Sequence, residues 1–204
     1  MEFVPYYLGA YLAGSIPFGL LVARARGIDI RAFGSGNIGA TNVGRALGRT
    51  YAVVVFTLDF LKGLIPAWMA ARHAGPGPCP WEVICVALLT VLGHNYPVWL
   101  KFKGGKGVAT SAGALSALLL VPVLMALAVW VISFFTTRFV SVASLAATVS
   151  LPVTTWFVRP ERSCLILTLA IMILCFIRHC SNIAALVAGT EHRFQKNQEY
   201  PEKP

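Results

Sequence analysis

Six long apolar runs limit what this chain can fold into: residues 6–23, 51–71, 82–100, 107–135, 139–158 and 163–177. Each approaches or exceeds the roughly 20 residues that a helix needs to cross about 30 Å of hydrocarbon. The sequence therefore predicts an all-α polytopic membrane protein, with residues 1–204 as a single membrane-embedded domain. Charge agrees with this class, because only 12% of the residues are charged, against about 25% in a soluble domain. The first run lacks the basic segment that opens a signal peptide, and Arg24 and Arg26 follow it instead, so it reads as a retained span.

The run 107–135 is too long for one untilted span and short for two, and Pro122 near its middle would interrupt a helix and mark a turn. Dividing it there gives seven transmembrane helices, with the N-terminus outside and the C-terminus cytoplasmic. In that arrangement 13 of the 17 Lys and Arg residues face the cytoplasm: Arg24, Arg26, Arg31, Arg45, Arg49, Lys101, Lys103, Lys106, Arg138, and Arg178, Arg193, Lys196 and Lys203 of the tail. Only Arg72, Arg159 and Arg162 lie outside, and Lys62 falls within a span. An undivided helix would leave ten inside and six outside, so the positive-inside rule selects seven spans. The stretch 107–121 would reach only about 22 Å at 1.5 Å per residue, which predicts a short or partly embedded helix.

The net charge of +9 is thereby assigned to topology, anionic headgroups and an anionic substrate rather than to nucleic acid. The five cysteines lack CxxC spacing and read as small buried hydrophobes. No metal-ligand cluster is visible, and no cofactor is expected.

The same topology gathers three unusual polar segments on the cytoplasmic face. The first, GSGNIGATNVGRALG, starts at Gly34 and contains a G-x-G-x-x-G at Gly34, Gly36 and Gly39, with Asp59 twenty residues further on. A dinucleotide-binding reading fails because the segment joins two membrane spans rather than a strand and a helix. Its physical content remains: glycines let the backbone approach an anion, Ser35, Asn37, Thr41 and Asn42 supply short donors, and Arg45 follows a helical turn later. In the second segment, GHNYPVWLKFKGGKGVAT, Lys101, Lys103 and Lys106 surround Gly104 and Gly105 just before the next span. Gly107 stands where a Walker A loop needs Ser or Thr. Free amides, a helix N-terminus and a lysine would still cradle a phosphate, with His94 and Asn95 at the preceding helix end. The third segment is RHCSNIAALVAGTE, where His179 and Asn182 share a helix face. Within a span, Asp59 and Lys62 are three apart and read as a mutual ion pair supporting the site.

Together these segments resemble the motifs of the bacterial acyl-phosphate glycerol-3-phosphate acyltransferases, the PlsY family. The resemblance runs from GSIPFG at 14–19 through LDFLKG at 58–63 to AGTE at 188–191. It departs in the third segment, where Cys180 and Ala185 stand in place of basic residues. It implies seven transmembrane helices with short re-entrant cytoplasmic segments in a bacterial inner membrane. It also implies transfer of an acyl group from acyl phosphate to glycerol 3-phosphate, the first step towards phospholipid. Residues resembling Ser35, Arg45, Lys106, His179 and Asn182 would hold the glycerol phosphate. The donor anhydride would lie near the glycine loops, and Glu191 would close the set.

An acyl phosphate is already activated, so no covalent acyl-enzyme is required. Positioning of the hydroxyl, stabilisation of the oxyanion and a proton acceptor suffice. His179 or an oxygen of the departing phosphate could be that acceptor. The His-x-x-x-x-Asp pair of thioester-dependent acyltransferases is absent from the sequence. A transporter for an anionic phosphate compound would need a second polar gate in the outer loops, and none is seen there. A CDP-alcohol phosphotransferase would need an Asp-rich metal motif, which is also missing.

Overall fold

The computed structural model describes residues 2–194, and all regular structure among them is helical. Lys196 and Lys203, assigned above to the cytoplasmic tail, lie outside the described residues. The first apolar run forms α1 (Val4–Ser15) and α2 (Phe18–Arg24), parted at Ile16 and Pro17. Proline drives the residue before it out of the helical region, and Ile16 is extended, with φ −64° and ψ 117°. A short amphipathic helix, α3 (Ala40–Leu47), precedes α4 (Arg49–Ala74) and α5 (Trp81–Asn95). The remaining helices are α6 (Val108–Ser116), α7 (Leu120–Thr137), α8 (Val140–Val158), α9 (Arg162–Arg178) and α10 (Cys180–Val187).

Five stretches are long and apolar enough to cross a membrane: Val4–Arg24, Arg49–Ala74, Trp81–Leu100, Leu120–Thr137 and Val140–Val158. The bent pair of α9 and α10 raises the number to as many as six. The outward surface is apolar, with Val54, Trp68, Leu124, Ile132 and Phe157 exposed, while Asn42, Asp59, Lys62, His94 and His179 are buried. That inversion of the soluble pattern suits a hydrocarbon solvent.

Glycines set the closest helix contacts. A Cβ on Gly14 of α1 would run into the Thr90 carbonyl of α5, and one on Gly93 into that of Tyr11. In the same way Gly63 of α4 and Gly113 of α6 abut the carbonyls of Thr110 and Phe60. Small residues at such crossings let backbones meet where lipid provides no hydrophobic drive.

The run 107–135 is divided, as expected, but not at Pro122. The break falls at residues 117–119, and Pro122 occupies the first turn of α7, where its missing N–H has no helical partner to lose. The nine-residue α6 is only about 14 Å long. It starts beside the polar segments and ends at the opposite side of the bundle. There Arg159 Nη1 donates to the Leu118 carbonyl at 3.0 Å and Nε donates to Glu161 Oε1 at 2.9 Å.

Candidate active site

The first and third polar segments are folded by side chains that the sequence offers as ligands. Asn42, buried in the first turn of α3, reaches with Nδ2 to the carbonyls of Ile30, Phe33 and Asn37 at 3.1, 2.9 and 2.9 Å. Its Oδ1 accepts from the Ser35 amide at 3.1 Å, and Asn37 Oδ1 accepts from the Gly39 amide at 2.8 Å. Asn42 is thus the latch of the glycine loop, with its Nδ2 donors committed there. What remains open is the Ser35 hydroxyl, the amides of Ala40 and Thr41 at the start of α3, the Thr41 hydroxyl, and Arg45 one turn further on the same face; the Asn42 amide donates to the Gly39 carbonyl at 3.0 Å.

The second segment corrects an expectation. The Gly104 and Gly105 amides are not free, because they donate to the carbonyls of Asn95 and His94, each at 3.1 Å. The carbonyls of Gly104 and Gly105 accept from Arg178 Nη2 and Nε at 2.8 and 3.0 Å. A side chain on either glycine would collide with His94. The pair therefore serves close packing between the α5 end and α9. Open amides begin at the first turn of α6, Val108 and Ala109, behind the N-cap Gly107. Gly107 has φ +80°, and a Cβ there would lie 2.6 Å from Asn95 Oδ1, so glycine is required.

His179 sits at the 57° bend between α9 and α10. Its Nδ1 faces the Cys175 carbonyl at 2.8 Å. A carbonyl only accepts, so the proton belongs on Nδ1 and Nε2 keeps its lone pair. Lys106 Nζ donates to Asn182 Oδ1, Asn182 Nδ2 donates to Glu191 Oε1 at 2.7 Å, and Ser141 Oγ donates to the same carboxylate oxygen at 2.9 Å. This chain ties the loop before α6 to α8 and α10. Below it the expected ion pair is present, with Lys62 Nζ 2.8 Å from Asp59 Oδ1. Lys62 also donates to the Ile16 carbonyl at the break of the first span, at 2.7 Å.

Ser35, Asn37, Thr41, Asn42, Arg45, His94, Lys106, Gly107, His179, Asn182 and Glu191 line one cavity of about 170 Å³. An adjoining recess of about 650 Å³ shares Ser35, Asn37, Lys106, Asn182 and Glu191 and adds Gly36, Lys103, Gly104, Arg31 and Arg178. Gly34, Gly105 and Lys101 line neither. Cys180 and Ala185 are also away from both, so the departures from the family pattern fall off the cavity wall. Sequence reasoning missed Phe56, Trp130, Val140, Ser141 and Ser144, all on the cavity wall. Trp130 Nε1 donates to Ser144 Oγ at 3.3 Å. Ser141 and Ser144 stand three apart in an apolar helix, a detectable polar face; nothing local marks Phe56, Trp130 or Val140.

Burial pushes the Lys106 ammonium below the usual lysine range, with Glu191 pulling it back up. Burial likewise lowers Arg45, but a guanidinium stays charged. The charged form of Lys106 is present below its depressed pKa and is lost as pH rises through it. Where Lys106 must be charged, the alkaline limb of kcat/KM should lie below the value of about 10.4 of a free lysine. Lys106→Arg should remove that limb if it retains activity. An unchanged limb in the arginine variant would assign it to another group.

This geometry defines a membrane-embedded cavity lined by Arg45 and Lys106, with an apolar wall. A profile of the glycerol-3-phosphate acyltransferase family matches residues 4–189, and the chain belongs to that family. It is similar to the glycerol-3-phosphate acyltransferase of Aquifex aeolicus, with 46% identity over 91% of this chain and 95% of the relative. That of Geobacter sulfurreducens is 46% identical over 91% of this chain and 94% of the relative. Among solved structures it resembles PlsY, an integral membrane glycerol 3-phosphate acyltransferase, in its glycerol 3-phosphate form. There the TM-score is 0.92 at 44% identity, covering 96% of each chain. The lysophosphatidic acid form of PlsY matches with a TM-score of 0.89 at 43% identity, again over 96% of each chain.

Proposed function

We propose that this chain transfers an acyl group from acyl phosphate to the 1-hydroxyl of glycerol 3-phosphate, releasing lysophosphatidic acid and inorganic phosphate. The site is read as facing the cytoplasm of a bacterial inner membrane, in a bundle that crosses it seven times with the N-terminus outside. The observation that carries this reading is the two-sided cavity. Arg45 and Lys106 stand at its polar part, beside a recess open to solvent, and Phe56, Trp130 and Val140 form its apolar wall. A small dianion fits the first environment and an acyl chain the second.

The chemistry follows from the groups present. Arg45, Lys106 and the first-turn amides of α3 and α6 hold phosphate oxygens and leave the glycerol 1-hydroxyl directed at the donor carbonyl. The hydroxyl oxygen attacks that carbon, and nearby amides and Lys106 stabilise the oxyanion. Collapse breaks the bond from carbonyl carbon to phosphate oxygen, and phosphate departs. The hydroxyl proton goes to His179 Nε2 or to an oxygen of the leaving phosphate. Asn182 and Glu191 act by holding the Lys106 ammonium in place.

Purified enzyme should convert palmitoyl phosphate and glycerol 3-phosphate to lysophosphatidate but leave palmitoyl coenzyme A untouched. The His–Asp pair that activates the hydroxyl for a thioester donor is absent. Comparable turnover of the two donors would overturn the donor assignment. A transporter reading gains no support from the opposite end of the bundle, where Arg159 and Glu161 are committed to each other and to backbone groups.

A further inference from the structure

Two cysteines converge on one carboxylate, that of Glu161, at the end of the bundle opposite the cavity. Cys79, in the turn between α4 and α5, and Cys164, in the first turn of α9, are both buried. Residues on either side of Cys164 fix Cys79 in place. The Cys79 amide donates to Glu161 Oε2 at 2.8 Å, and Ser163 Oγ donates to the Cys79 carbonyl at 2.9 Å. Cys164 Sγ lies 3.9 Å from the same Glu161 oxygen, so both cysteines are drawn to one carboxylate. No other pair among the five cysteines is held together in this way: Cys85 and Cys180 are exposed, and Cys175 packs on His179.

We infer that Cys79 and Cys164 form a disulfide when the protein resides in its membrane. The inference rests on the reading that this end faces outward, because disulfides persist in oxidising extracytoplasmic compartments. Each thiol gives up a proton, and the pair gives up two electrons to the disulfide of an extracytoplasmic thiol oxidant, which leaves as a dithiol. The new bond joins the α4–α5 turn to the start of α9, closing a long loop that includes His94, Lys106, Trp130 and Ser141 of the cavity wall. It stabilises the bundle from the side remote from catalysis.

The test counts thiols in the full chain, expressed in a bacterium with an oxidising periplasm. Membranes are acid-quenched, denatured and alkylated with a polyethylene-glycol maleimide, with or without prior reduction. The expected result is three adducts unreduced and five after reduction. Cys79→Ser and Cys164→Ser should each give four adducts under both conditions. Five adducts without reduction would overturn the inference. Diamide treatment of the purified enzyme then identifies which part failed. Closure to three adducts would mean that the thiols meet but face a reducing compartment, and five would mean that they do not meet. External labelling of Pro76→Cys with an impermeant maleimide reads the orientation independently.

Discussion

Lys106→Ala and Arg45→Ala should each lower kcat/KM for glycerol 3-phosphate at least tenfold to a hundredfold. Both cations line the cavity, and a charge-assisted hydrogen bond to phosphate is worth roughly 1.5–3 kcal/mol. The loss at Lys106 should be the larger of the two. Its ammonium is fixed by Asn182 and through it by Glu191, so alanine also releases the α10 end from the cavity. The double variant should lose nearly all turnover while still inserting and melting as a folded protein. Arg138→Ala is the control: its side chain is exposed, stacks on Phe135 and touches neither cavity. Steady-state kinetics with palmitoyl phosphate decide the matter. Wild-type kinetics in either single variant would remove that residue from the substrate site, and an equal fall in Arg138→Ala would point to a general charge effect.

Gly113→Leu should destabilise the protein by about 3 kcal/mol or more, at the upper end of what overpacking costs. A Cβ at this position meets the Phe60 carbonyl on α4, and a backbone atom in a packed helix cannot step aside as a side-chain tip can. The same helix pair carries Gly63, whose added carbon would strike Thr110, so Gly63→Leu should behave alike. Gly9→Leu provides the contrast, because nothing lies within 4 Å of a Cβ there. Thermal unfolding in detergent should separate the two classes clearly. A Gly113→Leu protein melting with Gly9→Leu would mean that α4 and α6 are not in backbone contact.

Much of the architecture could be read from the apolar runs, since span length is set by the bilayer and not by distant contacts. The meeting of the three polar segments was also legible, because the distribution of Lys and Arg places them on one face. The break after α6 was expected but misplaced. Proline is a breaker inside a helix and harmless in a first turn, and sequence alone does not say which position it holds. The glycine pair Gly104–Gly105 shows a deeper difficulty. Glycine signals that something approaches closely, but not whether it is a ligand or, as here, the His94 carbonyl against Gly104 and the His94 ring against Gly105. Asn42 was equally ambiguous, since an asparagine beside a loop can bind an anion or fold the loop. Phe56, Trp130 and Val140 escaped because their role depends on which faces of α4, α7 and α8 turn inward, a tertiary fact with no local mark.

The tie between Lys106 and Asn182 spans 76 residues of sequence, and the Arg178 contacts to the glycine pair span 73 and 74. During synthesis at about 5–20 residues per second, roughly 4–15 s pass between the emergence of Lys106 and that of its partner. For that interval the earlier helices can insert, but the cationic loop after α5 has no α9 or α10 to hold it. The cavity around Lys106 is therefore completed late, and a ribosome that stalls before residue 178 leaves an inserted chain in which Lys106 and the glycine pair lack these ties.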